Sequence, residues 1–223
     1  MSPPDPLIAE ELRESLGEAL VGRRIIVLES THSTNDLLLQ MLSPELPEGF
    51  VVFAERQTAG RGQRGNRWAS ASHLGLWFSF FVRPDLPLVE SVRLTNWAAA
   101  AIAATIATET KLQPTIKPPN DIYLEGRKVA GVLVDTQAKS GRIENAVVGL
   151  GINLNQAPAD FPLELRGRAG SLFIAKGRRI DRTAFAIALL RELNRTVIPS
   201  GAEGEVEESR GEIRKVTSER VSS

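Results

Sequence analysis

The sequence predicts an α/β (α+β) domain with a mixed central β-sheet and helices packed mainly on one face. Short apolar runs outnumber helical segments, and their order, β-α-β-β-α-β-β-β-β-α, is not regular βαβ alternation. The longest helical candidate, Val89 to Thr110, has an alanine-rich face with Trp97, Ile102 and Ile106, suited to lying on a sheet. A hydrophobic content of 42% over 223 residues is enough for a sizeable core in one large domain.

Each element follows from local pattern. Leu7, Ile8, Leu12, Leu16 and Leu20 recur at helical spacing, which predicts an amphipathic helix over 7–20 ended by Gly22. Arg24 to Leu28 reads as a strand. Ser33 or Thr34 is placed to cap a helix over Asn35 to Leu42, which stops before Pro44. Phe50 to Glu55 and Leu74 to Val82 are continuous apolar runs, the signature of buried strands. Thr115 to Lys117 and Ile122 to Leu124 are short strands, and Glu125-Gly126 is a hairpin turn. Val129 to Thr136 and Ala146 to Leu154 complete the sheet. Residues 155–170 read as loop, and Arg182 to Ile198 as a last amphipathic helix. The expected organisation is a helical extension over 1–22, a main domain over 23–198 and a charged, apolar-poor tail over 199–223.

Composition narrows the function. The 27 basic and 27 acidic residues cancel, which argues against nucleic acid as the main partner. The absence of cysteine excludes disulfides, thiolate metal sites and a cysteine thioester mechanism on this chain, and fits a reducing cytoplasm. His32 and His73 lack metal-ligand spacing, so no His or Cys metal site is expected. The first residues do not read as a secretory signal, and no apolar run approaches the ~20 residues that span a membrane.

The stretch Gln57 to Trp68, QTAGRGQRGNRW, carries the most information. Three glycines and Arg61, Arg64 and Arg67 fill a dozen residues closed by Trp68. Glycine allows close backbone approach, and arginine supplies cationic forks for carboxylate or phosphate. The run Gly60 to Gly65 fits the dinucleotide-binding glycine template, but that template must open a helix, and here the chain runs into a strand. A second constellation, Lys117-Pro-Pro-Asn120-Asp121, presents polar side chains at a strand end; its bland reading is an Asn-Asp turn. Arg127-Lys128-Val-Ala-Gly131 places Lys128 at a strand edge, as a surface lysine or a carboxylate holder. Gly131, and the run Gly149-Leu-Gly151-Ile-Asn153, interrupt strands with glycine, as a bulge or where ligand lies on backbone. Ser33, Thr34 and Asn35 are first a helix cap and second a polar head-group site.

In this order, S-T-N, Q-T-A-G-R-G-x-R-G-x-x-W, K-x-P-N-D, R-K-x-A-G and G-x-G-I-N, the motifs resemble the biotin–protein ligase (biotin–[acetyl-CoA-carboxylase] ligase) family over about residues 24–155. The resemblance implies a class II synthetase-like catalytic domain. It also implies a two-step reaction. Biotin and Mg-ATP give biotinyl-5′-AMP and pyrophosphate, and a lysine of a biotin carboxyl carrier protein then takes the biotin. By position, Ser33, Thr34 and Gln57 match residues on the biotin ureido ring, and Asn35 and Gly131 join the implied biotin site. Gly60 and Arg61 match residues at the biotin carboxylate, and Lys128 a lysine between that carboxylate and the reacting phosphate. Lys117, Asn120 and Arg64 fall on the nucleotide side, with Trp68 as a pocket wall and Asn153 beside adenine. Asp121 is the candidate to orient or deprotonate the incoming lysine, and catalysis is expected from Lys128, Arg61, Lys117 and Asp121.

The chain departs from the family pattern at Gln63, where arginine is common, and at Pro118, where tryptophan is usual. Gln63 implies looser retention of the adenylate unless Arg64 compensates. The usual C-terminal β-barrel-like domain is not expected in the polar tail. With about 23 residues before the first strand, a helix-turn-helix segment is not expected either, so the reading is a monofunctional ligase. The family pattern also leaves room for a homodimer. The rivals are a lipoate–protein ligase, which would need a longer apolar tunnel, and a non-catalytic binder of biotin or biotinyl-AMP.

Overall fold

The strands form over the apolar runs, and because successive side chains point to opposite sides the sheet has two unlike faces. The computed structural model describes residues 5–196. Seven strands, β1 (Arg24–Thr31), β2 (Phe50–Gln57), β3 (Gly75–Val82), β4 (Thr115–Lys117), β5 (Asp121–Leu124), β6 (Arg127–Lys139) and β7 (Arg142–Asn153), lie in the order β1-β2-β3-β7-β6-β5-β4. Only β1 and β2 run parallel, joined by helix α2 (Thr34–Met41); the other neighbours are antiparallel. The mixed sheet read from the sequence is therefore the one observed.

One face is the core. Val51 and Phe53 of β2, Leu76, Phe78, Phe80 and Val82 of β3, and Val148, Leu150 and Ile152 of β7 all point to it. Helices α1 (Ala9–Leu16), α3 (Val92–Thr110) and α5 (Arg182–Arg195) cover it with Leu12, Leu94, Ile102, Phe185 and Leu189. Phe53 stacks on Phe78 with centroids 4.5 Å apart. Each such fully buried side chain contributes about 1.5–3 kcal/mol. Residues 5–22, expected as an extension, place Leu7, Leu12 and Val21 in this same core. The buried Arg182 guanidinium pairs with buried Glu55 and donates to the Gly75 carbonyl at 3.1 Å, tying the start of α5 to the sheet. A charge so buried demands such a partner.

On the other face only α2 packs, with Leu38 against Phe50, Val52, Phe81 and Val147. The middle of this face stays uncovered by helix. The helices thus lie mainly on one side, as the sequence predicts.

Several boundaries move. Helix α1 stops at Leu16 with Gly17 at φ 63°, so Gly22 does not end it. Strand β1 runs on through Ser30 and Thr31, and α3 begins at Val92 after a 3-10 turn over Leu88–Glu90. The Glu125-Gly126 turn is present with φ 49° and 74°, a conformation glycine adopts without strain. A second turn of the same kind, Ser140-Gly141, joins β6 and β7 beyond their predicted ends. Helix α4 (Leu172–Lys176), unforeseen, is capped by Ser171 accepting from the Ile174 N–H at 3.1 Å. The last residues of the predicted final helix and the charged tail lie outside the described residues. Among the described residues no helix is long and apolar enough to cross a membrane.

Candidate active site

The site stands on the open face, and its floor is made of glycine. Gly151 of β7 pairs with Trp77 of β3 on one side and Gly131 of β6 on the other; Gly149 pairs with Ser79 and Leu133. A Cβ at Gly149 would lie 1.8 Å from Asn35 Oδ1, and one at Gly151 would lie 2.4 Å from Trp68 Cε2. Any side chain there would fill the space that Asn35 and Trp68 now occupy.

The glycine- and arginine-rich run forms the roof. It leaves β2 at Gln57 and folds into a hairpin: the Trp68 N–H donates to the Gly60 carbonyl (2.8 Å) and the Gly62 N–H to the Asn66 carbonyl (2.7 Å). Arg64 turns the chain at φ 56°. The hairpin brings Arg61, Gly62, Gln63 and Trp68 over a narrow cleft floored by Gly131, Gly149 and Gly151.

One end of this cleft is a relay of hydrogen bonds. Ser33 caps α2, its hydroxyl accepting from the Asp36 N–H at 3.3 Å. The Thr34 N–H donates to Gln57 Oε1 (2.8 Å), and Gln57 Nε2 donates to Ser70 Oγ (3.1 Å). The Ser79 hydroxyl donates to Asn35 Oδ1 (2.6 Å) and lies 2.7 Å from Thr34 Oγ1. Asn35 Nδ2 in turn donates to Asp135 Oδ2 (2.8 Å). Ser33, Thr34 and Asn35 are all buried: Ser33 is the cap, and all three line the cleft. Arg61 reaches Asp36 at 2.5 Å and Asp135 at 3.2 Å. Burial opposes its charge, but Asp135 and then Asp36 outweigh this and raise its pKa above the ordinary arginine value.

At the other end, Lys128 Nζ forms an ion pair with Asp121 Oδ1 at 2.6 Å and lies 5.3 Å from the Trp68 ring centroid. Beyond Trp68 opens a second, wider cleft, lined among others by Asn66, Arg67, Tyr123, Asn153, Phe161 and Arg168. Gln57, Trp68 and Lys128 line both clefts.

The predicted residues therefore assemble unevenly. Ser33, Thr34, Asn35, Gln57, Arg61, Trp68, Lys128 and Gly131 surround the first cleft, and Gly60 and Asn153 reach the second. Asn120, expected on the nucleotide side, lines the first, its Nδ2 donating to the Val132 carbonyl at 2.9 Å. Asn153 is buried and bonded within the chain, to the Gly170 carbonyl (2.9 Å) and from Gln156 Nε2 (3.2 Å). Arg64 and Lys117 line neither cleft; Lys117 lies 5.7 Å from the Tyr123 ring. Ser79, Asp36 and Asp135 were missed. A lone serine in the apolar run of β3, and the two-residue step from Gly131 to Leu133 to Asp135, are the signals that point to two of them. Among the described residues no group of three or more His, Asp or Glu side chains could hold a metal ion.

Comparison with known proteins agrees with this geometry. The model of the biotin/lipoate A/B protein ligase family matches residues 27–153, from β1 to the end of β7. The chain belongs to this family. It is 39% identical over 179 residues to the bifunctional ligase/repressor BirA of Bacillus subtilis, covering 80% of this chain and 55% of that protein. It is 34% identical over 204 residues to the biotin–[acetyl-CoA-carboxylase] ligase of Mycobacterium tuberculosis, covering 86% and 71%. The biotin protein ligase from Aquifex aeolicus, solved in complex with biotin and ATP, superposes with a TM-score of 0.64 at 29% identity, over 77% of this chain and 68% of that one. The chain spans about 55% of the length of the first curated relatives it matches. The fold is thus shared with the solved biotin protein ligase.

Proposed function

We propose that this chain activates biotin with Mg-ATP to biotinyl-5′-AMP and passes the biotin to a lysine of a biotin carboxyl carrier protein in the cytoplasm. The observation that carries the reading is that Lys128 lines both clefts, beside the Trp68 wall they share. A small carboxylic acid in the first cleft and a nucleotide in the second meet at that ammonium. Their like charges repel, and a fixed cation between them offsets the repulsion as charge develops in the transition state. Asp121 is committed to Lys128, so its part is to aim the ammonium rather than to take a proton from the incoming lysine. The Thr34, Gln57 and Asn35 groups suit the ureido ring, a compact set of donors and an acceptor. The Gly/Arg hairpin shields the hydrolysable adenylate from water. Magnesium enters as part of the nucleotide substrate. Arg67, Arg168 and Asn153 mark the nucleotide cleft.

The test is biotin-dependent pyrophosphate release from Mg-ATP, with lipoate in parallel and with and without an acceptor domain. Release with biotin, followed by labelling of the acceptor lysine, is expected. Lys128→Ala should reduce release by more than about 100-fold. Release with lipoate alone would move the protein to the lipoate branch of the family. Tight biotin binding without turnover would make it a binding protein.

A further inference from the structure

We infer that Asp36 and Asp135 are positioning residues that hold the Arg61 guanidinium and so latch the Gly/Arg hairpin over the first cleft; this rests on that cleft being the biotin site. Arg61 Nη1 lies 2.5 Å from Asp36 Oδ1, and its two amino groups lie 3.2 and 3.3 Å from the two Asp135 oxygens. The three residues come from the hairpin, the first turn of α2 and the middle of β6. Among the described residues these are the only ion pairs made by residues 57–68. Arg67 and Arg64, on the same hairpin, make none there.

Charge decides what the trio does. Two carboxylates on one guanidinium leave a formal surplus of negative charge. With both aspartates engaged, the trio offers a ligand carboxylate no net positive charge. What the trio supplies is closure. Neither aspartate lines the first cleft, so each acts through its partner. Asp135 does so twice, because it also accepts from Asn35 Nδ2 at 2.8 Å, and Asn35 reaches into the cleft. The latch is thereby keyed to the polar end of the pocket. Arg61 and Asp36 are 40% and 41% exposed and Asp135 23%, so the pairs are sensitive to salt, and Asp135 is the stronger of the two.

Two readouts on the full chain separate the latch from the biotin reading. The first needs no ligand: trypsin cleavage within the hairpin, after Arg61, Arg64 and Arg67. Asp36→Asn and Asp135→Asn keep shape and remove charge. Cleavage is expected to rise about five-fold in the double variant. The second is biotin dissociation, chased with unlabelled biotin. Its rate is expected to rise about ten-fold in D135N and less in D36N, with the on-rate unchanged. Added salt should speed dissociation from the wild type and leave the double variant flat, a dependence that loose packing alone would not produce. Unchanged cleavage and dissociation would overturn the latch. So would tighter biotin binding in D135N, which would mean that the aspartates compete with the ligand for Arg61. A wild type that binds no biotin, with variants still cleaved faster, would overturn the biotin reading and leave the latch standing.

Discussion

The two faces of the sheet are built from the same strands and do opposite work. On β3, Leu76, Phe78 and Phe80 face the helices, while Gly75, Trp77 and Ser79 point to the opposite face. On β7, Val148, Leu150 and Ile152 alternate with Gly149, Gly151 and Asn153 in the same way. One face fills space with large apolar groups; the other clears it with glycine and meets the cleared space with hydrogen-bonding groups. Period-two alternation lets a single strand do both, because a side chain on one face scarcely touches the other. Stability and binding are therefore separable in this molecule to a degree that a helical bundle would not allow.

That separation can be broken from either side. The largest effect is expected from Phe78→Ala, which removes a ring stacked on Phe53 in a fully packed layer and should cost about 3–5 kcal/mol in denaturant unfolding. Biotin affinity of the folded fraction should change little. Gly151→Ala does the reverse. Its Cβ would stand 2.4 Å from Trp68, which must swing away from the junction of the clefts, and a displacement of about 1 Å there should lower turnover about 100-fold. Because Trp68 has a wide cleft to move into, the unfolding midpoint should hardly shift. A large loss of stability in G151A with turnover intact would show that the two faces are not independent. The smallest effect belongs to Asp85→Asn, remote from both faces. Asp85 takes a hydrogen bond from Arg142, then feels its charge, and its pKa is lowered below the ordinary aspartate value. Such a pair stabilises above the ordinary value, and that contribution is lost as pH falls through the lowered one. The difference in melting temperature between wild type and D85N should be small at neutral pH and vanish in acid, with biotin binding unaffected.

The sheet was largely legible. LGLWFSFFV could only be a buried strand, and Glu125-Gly126 could only be a tight turn between two apolar runs. What went unread lacked apolar periodicity. The far ends of β6 and β7, through Gln137 and Lys139, carry mostly exposed polar side chains, so little in composition marks them. Helix α4 has five residues, too few to show a helical period, although Ser171 and Gly177 sit at its caps. Helix α1 ended early because Gly17 takes a positive φ that a periodic reading of Leu16 and Leu20 ignores.

The site divides along the same line. Arg61, Trp68, Lys128 and the strand glycines stand in short motifs whose chemistry is local, and a reader of the chain alone reaches them. The family resemblance implies a ligand carboxylate for Arg61. The fold supplied two anions first, from positions 25 and 74 residues away in sequence. Lys117, equally basic, ended on an edge strand beside Tyr123 rather than in a cleft. By itself the sequence determined the secondary structure, the glycine floor and the cations of the hairpin, because those depend on residue type and near neighbours. Only the tertiary structure decided which anions hold Arg61. That choice depends on where α2 crosses the sheet and on the register that sets Asp135 beside Asn35, and neither is written in any local run of residues.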